Sequence, residues 1–368
     1  MAGSIALGVD SAEVAVAEQT DDAGLRSILR ASVIPGAVRV AFTREPDYFA
    51  ADGLAGGEDI TVVARRDGRV IGSGRCSVYS LTRNGVPRRI GYLSILRVAE
   101  HTRESARLLR EGYELLGHEV VAHADGFFTS IATDNVRARR VLELGGRLGL
   151  PSYRPLCDLV TLVGAVTSPS RTPRGVEPSA AEAELGEFLE QRSRDAHLAL
   201  SWEPSRWRDL ARHDVSASKF SVVRQDGQIV AAAGVWDQRT FRQTVVDGYE
   251  GWLRAARPFL NGAMAVRHRP LLPRPGSVLA QGALLGAAAA DPAAWPALWQ
   301  LVRHRAAAAG LSWLCLSRDA RDPELAVLRR LMKGQEYRTT LYEVTWRDGP
   351  RWPDPWDARF FRPEVSLL

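Results

Sequence analysis

Apolar positions along the chain switch between two periods, and each switch marks out an element. An amphipathic helix is predicted over 21–32, with Asp21 and Asp22 at the end where a helix dipole favours acids. Strands follow over 60–65, 69–81 and 88–98, the last two joined across Asn84-Gly85, a pair suited to tight hairpins. Then come a helix over 103–116, a strand over 126–132, a helix over 135–144 and strand structure around 153–163. The second half reads as a helix over 180–197, strands over 220–224 and 228–238, and a further strand over 278–285. It closes with a helix over 293–309, a strand over 313–317, a helix over 323–332 and a strand over 337–346. Helices interleaved with strands, some of them in hairpins, predict an α/β layer structure on a mixed sheet.

The halves share this order. Asp67-Gly68 stands between apolar runs in the first half and Asp226-Gly227 between apolar runs in the second, and each pair predicts a hairpin turn. Tyr153-Arg154, after a helix-like stretch, is matched by Tyr337-Arg338 after another, at a longer offset. An insertion therefore separates the markers, and 243–275, rich in Arg, Pro and Trp, is where it is placed. The chain reads as a tandem repeat of one fold. Its segments are 14–166, an exposed linker at 167–178 that holds prolines, serines and a glycine without hydrophobic period, 179–347, and a tail at 348–368. All ten tryptophans follow Leu200, which predicts two separately packed units.

Length agrees: 368 residues are more than twice a domain of about 150. The net charge is +5, nearly all from arginine, since only Lys219 and Lys333 are lysines. The arginines alternate with acids instead of clustering with aromatics, so no nucleic-acid partner is expected, while an anionic small ligand suits the balance. Asp291, Pro292 and Pro296 cut the longest apolar stretch, 278–302, so no run of about 20 residues can span a bilayer and no membrane partner is expected. The N-terminal segment lacks a basic region and carries Asp10 and Glu13 in its apolar part, which argues against a signal peptide and for a cytoplasmic location. Cys76, Cys157 and Cys315 show neither disulfide nor zinc spacing, so reduced thiols and no metal are expected.

In the order helix, antiparallel strands, helix, strand, helix, two strands, the chain resembles the fold of the Gcn5-related N-acetyltransferases, the GNAT superfamily. Two local motifs carry the resemblance in the first half. Five residues after Val98, the run Arg103-Glu104-Ser105-Ala106-Arg107-Leu108 is similar to the family's pyrophosphate loop R/Q-x-x-G-x-G/A, with Ala106 and Leu108 in the glycine positions. The resemblance implies that the amides and positive dipole end of the helix opening here hold the pyrophosphate of CoA. The run from Asn135 and Ala138 to Gly146 is similar to N-x-x-A-x-x-L-Y-x-x-x-G, which implies Asn135 beside the thioester arm. Leu142 stands where the family has a general-acid tyrosine, and leucine has no proton to give; nearby Tyr153 is the hydroxyl that would replace it.

By the same resemblance, backbone N–H groups at Leu96, Arg97 and Val98, where the fourth strand bulges, polarise the acyl carbonyl. Tyr92, Ser94, Glu100 and His101 are the local candidates to receive the amine proton. In the second half the equivalent loop, 287–295, has no Arg, Gln or glycine pair and carries Asp291 where phosphate would sit, so that half is expected to be degenerate and not to bind CoA. Trp252 and its neighbours in the insertion either cover the first half's cleft or pack in an interface. The implied activity moves an acyl group, acetyl in the family's usual form, from acetyl-CoA or another acyl-CoA to an amine of a small molecule or peptide by direct attack in a ternary complex. Use of another acyl carrier, such as a carrier protein, and a non-catalytic binding or regulatory role both stay open at this point.

Overall fold

A computed structural model of the chain describes residues 12–98, 104–166, 180–267 and 270–368. The first half contains β1 (Glu13–Val16), α1 (Asp22–Ala31), β2 (Val33–Ile34), β3 (Val38–Thr43), β4 (Glu58–Arg66), β5 (Arg69–Arg83), β6 (Val86–Val98), α2 (Ser105–Val120), β7 (Gly126–Ala132), α3 (Val136–Glu143) and β8 (Ser152–Ala165). The second half contains α4 (Glu182–Ser193), β9 (Ala196–His197), α5 (Arg206–Ala211), β10 (Phe220–Gln225), β11 (Gln228–Trp236), β12 (Gln243–Tyr249), α6 (Gly251–Val266), β13 (Gln281–Ala289), α7 (Trp295–Ala308), β14 (Trp313–Asp319), α8 (Glu324–Met332), β15 (Gln335–Thr345) and β16 (Phe360–Phe361). Asp67-Gly68, Asn84-Gly85 and Asp226-Gly227 all sit with positive φ at both residues. That backbone twist matches the strands it joins, which is why these dipeptides close the hairpins.

One mixed sheet runs through the whole chain, with its eleven strands in the order β1-β4-β5-β6-β7-β15-β8-β14-β13-β11-β10. Each half sends its last long strand into the other. β15 lies between β7 and β8, antiparallel to both, with Thr339 opposite Ala132 on one side and Leu159 on the other. β8 then pairs with β14, from Leu159 opposite Asp319 to Ala165 opposite Trp313. Within this sheet β6 with β7 and β13 with β14 are the parallel neighbours.

The core follows the exchange. One face of the sheet buries Tyr92, Phe128 and Leu159 of the first half together with Leu185, Trp202 and Trp236 of the second. The other face carries one cluster beneath α2 and α3, around Tyr113, Leu116 and Leu142, and another beneath α7 and α8, around Trp295, Leu298 and Leu328. The tryptophan distribution thus does not separate two packed units: the exchanged strands force a shared apolar face. The linker expected at 167–178 lies outside the described residues.

The insertion also ties the halves together. β12 pairs antiparallel with β3, and the Gln243 amide accepts from Thr43 Oγ1 and the Glu45 N–H at 2.9 Å each, while donating to the Glu45 carbonyl at 2.8 Å. α6 is tied to 271–273 through Asn261, while its Trp252 is 72% exposed, so that side chain packs in no interface among the described residues. Among the described residues no helix is long and apolar enough to cross a membrane.

Two glycine substitutions test the packing. A Cβ at Gly334, just ahead of β15, would overlap the Val163 carbonyl oxygen of β8. Gly334→Ala should therefore destabilise the protein by about 1–3 kcal/mol or more, because backbone of the exchanged pair must move. Gly112, inside α2, meets nothing within 4 Å, and Gly112→Ala should stabilise by about 0.5–1 kcal/mol. Denaturant unfolding of both variants checks the contrast.

Candidate active site

β6 and β7 stay paired only from Ile90 opposite Gly126 to Leu93 opposite Thr129. Thr129 Oγ1 donates to the Leu93 carbonyl at 2.7 Å and ends the ladder. Just beyond, the register of β6 against β5 shifts, and Ile95 adopts a φ of +54°. A β-branched residue in the left-handed region carries strain on the order of 1–3 kcal/mol. The Ile95 carbonyl accepts from Ser73 Oγ at 3.2 Å, which anchors the bulge to β5. The two parallel strands then part, leaving 94–98 on one side and Ser130, Ile131 and Ala132 on the other. Since β6 and β7 point the same way, α2 and α3, which follow them, both start at this open end. Parallel strands that part at their carboxyl ends, flanked by helix N-termini, make a binding crevice for an anionic ligand.

The structure gathers part of the sequence-predicted set at this crevice. Tyr92 lies at its closed end, 6% exposed, with its hydroxyl 3.1 Å from Ser130 Oγ and its ring tilted against Phe128. Burial raises the Tyr92 hydroxyl above the ordinary tyrosine range, so it stays protonated at neutral pH. Ser94 is half-buried at the point of divergence, and Leu96, Arg97 and Val98 line the open stretch, with Leu96 and Val98 exposed. Arg103, Glu100 and His101 lie outside the described residues. In α2 the Leu108 N–H bonds to the Glu104 carbonyl, the first such bond among the described residues, and the Ala106 and Arg107 amides lie in the helix's first turn.

Other expected residues have their side chains engaged within the chain. The Glu104 carboxylate pairs with Arg66, and Arg107 reaches down its helix to Glu111 at 2.8 Å and across to the Ala12 carbonyl at 3.0 Å. Leu108 is buried against Ala12 and Ala64, so this leucine in a glycine position packs beneath the helix. Asn135 uses its side-chain oxygen to cap α3, accepting from the Ala138 N–H at 3.1 Å. Leu142 is core. Tyr153 is 8% exposed in the same cluster, its hydroxyl 2.5 Å from that of Tyr113; burial and that neighbour push it well above 10. The structure thus places Tyr153 in the layer beneath α2, with its hydroxyl engaged.

Sequence reasoning missed Ser130, Ser73 and the strain at Ile95, and it missed Tyr337. That tyrosine, on β15 of the second half, is 37% exposed, and its surroundings include Asp134, Tyr92 and Arg97. Its Tyr-Arg repeat pair was visible, but only the strand exchange brings it to the first half's crevice. Among the described residues no group of three or more His, Cys, Asp or Glu side chains could hold a metal ion.

The second half repeats the same backbone device and closes it. β13 pairs with β14 only from Gln281 opposite Trp313 to Ala283 opposite Cys315, and its register against β11 shifts beside Gly286, whose φ is +57°. Here the Gly286 N–H donates to Glu364 Oε1 of the tail at 3.1 Å. Arg318, buried on β14, donates across the parting strands to the Ala287 carbonyl at 2.5 Å. At the head of the next helix, Asp291 accepts from the Ala293 N–H at 2.8 Å, engaging a helix-end amide with a carboxylate.

No family model and no curated protein sequence matches the chain. By structure it is similar to N-myristoyltransferase from Saccharomyces cerevisiae, solved with myristoyl-CoA and inhibitors bound, at 13% identity and a TM-score of 0.60 over 98% of this chain and 87% of that one. It is also similar to a GCN5-related N-acetyltransferase from Sphaerobacter thermophilus, at 14% identity and a TM-score of 0.53 over 92% of this chain and 96% of that one. At these identities the likeness is one of fold, and the chain has a tandem GNAT-like fold.

The carboxylate in the second cleft makes stability depend on pH. Burial pushes the Glu364 carboxyl up from 4.5 to about 7, against the pull of Arg318 and the Gly286 N–H. Between those values the folded protein binds more protons than the unfolded chain, so this stabilisation is full below about pH 4.5 and lost as pH rises through 7. Glu364→Gln keeps an acceptor for Gly286 and removes the titration. The variant should flatten the loss of stability between pH 4.5 and 7 by on the order of 3 kcal/mol, read from unfolding curves across that range.

Proposed function

We propose that the first half transfers an acyl group from an acyl-CoA thioester to an amine, with the acyl-pantetheine arm lying between β6 and β7. The observation that carries this reading is the carboxylate oxygen on the Gly286 N–H. Gly286 occupies the same place in the β11–β13 register shift that Ile95 occupies in the β5–β6 shift, and both have left-handed φ. A carboxyl oxygen sits on that amide in the second half; its counterpart, the Ile95 N–H, is the group that takes the acyl carbonyl oxygen in the first. This moves the polarising amide one position ahead of the 96–98 stretch expected from sequence.

The reaction is then direct. The amine nitrogen attacks the thioester carbon, negative charge gathers on the oxygen at the Ile95 N–H, and the carbon–sulfur bond breaks to give the amide. The amine loses one proton and the departing thiolate takes one up, so the products are N-acyl amine and free CoA. Tyr92, kept protonated by burial and linked to Ser130, is the hydroxyl placed to serve the thiolate, a role Tyr153 does not fill from its bond to Tyr113. The N-terminal amides of α2 hold the CoA phosphates. Acetyl-CoA is the donor that the sequence motifs favour, and the long acyl group bound by the yeast neighbour makes a longer acyl-CoA the second donor to try.

Two outcomes follow. CoA or acetyl-CoA should raise the melting temperature, since a ligand at 100 times its Kd adds about 2.7 kcal/mol to the folded state; no shift at millimolar CoA removes the reading. Tyr92→Phe, which deletes only the hydroxyl, should lower kcat by about 10²- to 10⁴-fold with KM for acyl-CoA little changed, measured by thiol release. A rate equal to wild type takes Tyr92 out of the reaction.

A further inference from the structure

On the face of the sheet that carries Tyr92, charges collect where the halves meet. Arg75 on β5 is 2% exposed, and Asp52 and Asp59 hold its guanidinium at 2.7 and 2.5 Å. Arg242, brought in by the second half, donates to the backbone carbonyl of Ser366 at 2.7 Å and to that of Leu368. Two more arginines are differently placed. Arg44, just past β3, is 7% exposed and lies over the Tyr48 ring at 4.8 Å. Among the described residues its hydrogen bond is the one to the Tyr48 carbonyl at 3.4 Å, and no carboxylate lies within 4 Å of it, Asp52 acting from farther off. Arg97, in the open stretch of β6, donates to the Leu96 carbonyl at 2.9 Å, while its Nε is buried without a partner; it too has no carboxylate among the described residues.

Tyr48 is the common neighbour of Arg44, Arg75 and Arg97. Arg44 also feels Arg75, Arg242 and the opposing charge of Asp52, and Arg97 feels Tyr92 and Tyr337. Even with the Arg242 charge left to the tail, Arg44, Arg75 and Arg97 outnumber Asp52 and Asp59 by one. Burial beside other guanidinium groups pulls Arg44 down to about 9, so it is still charged at neutral pH. A desolvated guanidinium without an anion is unfavourable, and its planar fork matches a carboxylate. Other buried or half-buried arginines here have a carboxylate within 4 Å, as Arg318, Arg65 and Arg206 do, where Arg44 and Arg97 have one backbone carbonyl each among the described residues.

Position decides what the anion belongs to. Arg97 is two residues from Ile95, on the strand where the acyl carbon is placed, and it lies on the side away from the α2 amides that serve the CoA phosphates. Resting on the acyl-transfer reading, we propose that the acceptor is a small amine of amino-acid size whose own carboxylate is held by Arg44 and Arg97, with its amine facing the acyl carbon at Ile95. The second half's Arg242 and Tyr337 form the far wall of this acceptor site.

The test uses the full chain with acetyl-CoA and with myristoyl-CoA as donors. The acceptors are the proteinogenic L-amino acids in one set and their carboxamides in another. CoA release and product mass are followed, and melting temperature with and without CoA is recorded alongside. At least one amino acid should exceed its carboxamide by about 10- to 100-fold in kcat/KM, the discrimination expected from a charge-assisted hydrogen bond. Arg44→Gln should erase that ratio while keeping the CoA-induced melting shift. Arg44→Lys, which keeps the charge and loses the fork, should retain a reduced ratio and serves if the first variant does not fold. Equal rates for acids and carboxamides, or an undiminished ratio in both variants, overturn the inference and leave acyl transfer standing. A CoA-induced melting shift with no acylation of either set overturns it as well, while absence of both shift and acylation removes the acyl-transfer reading with it.

Discussion

The exchange of β15 and β8 is the constraint on which the rest of the molecule depends. β15 hydrogen-bonds to β7 on one edge and to β8 on the other, so the ladder of the first half is completed by backbone from the second. Without it β7 and β8 would each present an open edge. With it, residues separated by half the chain become neighbours: Tyr337 arrives at the first crevice, and Leu367 and Phe361 of the tail enter the apolar cluster that holds Tyr92. The pairing of β12 with β3 adds a second tie and carries Arg242 and Gln243 to the segment around Arg44. The second half therefore contributes walls and charges to a crevice whose backbone belongs to the first.

Both halves use the same backbone break, but with opposite energetics. At Gly286 the left-handed φ carries no side-chain penalty, and the exposed amide is satisfied within the chain by Glu364. At Ile95 the same conformation is strained and is held by the β5 register on either side and by Ser73. Strain retained at an open crevice, beside relaxation at a filled one, is the distribution expected when the first break is used and the second is scaffold.

Much of the fold was legible because it is local. Asx-Gly turns announce their hairpins, and the helices at 21–32, 135–144 and 323–332 fall within a residue or two of α1, α3 and α8. The short strands β2, β9 and β16 escaped, since two residues carry no period. The strand exchange escaped for a different reason: β15 reads as an ordinary strand, and nothing in its own pattern says which sheet gap it will fill. The site was legible where it rests on local backbone, as with Tyr92, Ser94 and the stretch to Val98. It was not legible at Ile95, where isoleucine gives no hint of a left-handed residue, nor at Tyr153, where a hydroxyl near in sequence to the crevice turns into the layer beneath α2 to meet Tyr113. Arg44 and Arg97 could not be singled out among so many arginines.

The arginine excess, uninformative as a sum, becomes informative once located. Many arginines settle their charge within a few residues: Arg107 with Glu111, Arg239 with Asp237, Arg321 with Asp319 and Arg359 with Asp357. Such pairs are near neutral for stability at the surface and carry no functional message. Buried positions are different, because there a missing anion is costly and selection against it is strong unless something supplies one. Arg75 and Arg318 meet that demand with two acids each. Arg44 and Arg97 have no carboxylate within 4 Å among the described residues, and Arg97 lies on the stretch of β6 that has parted from β7. The positive charge that composition reports without position thus differs by place: much of it is met by nearby acids, while on the face that carries Tyr92 two guanidinium groups have no carboxylate among the described residues.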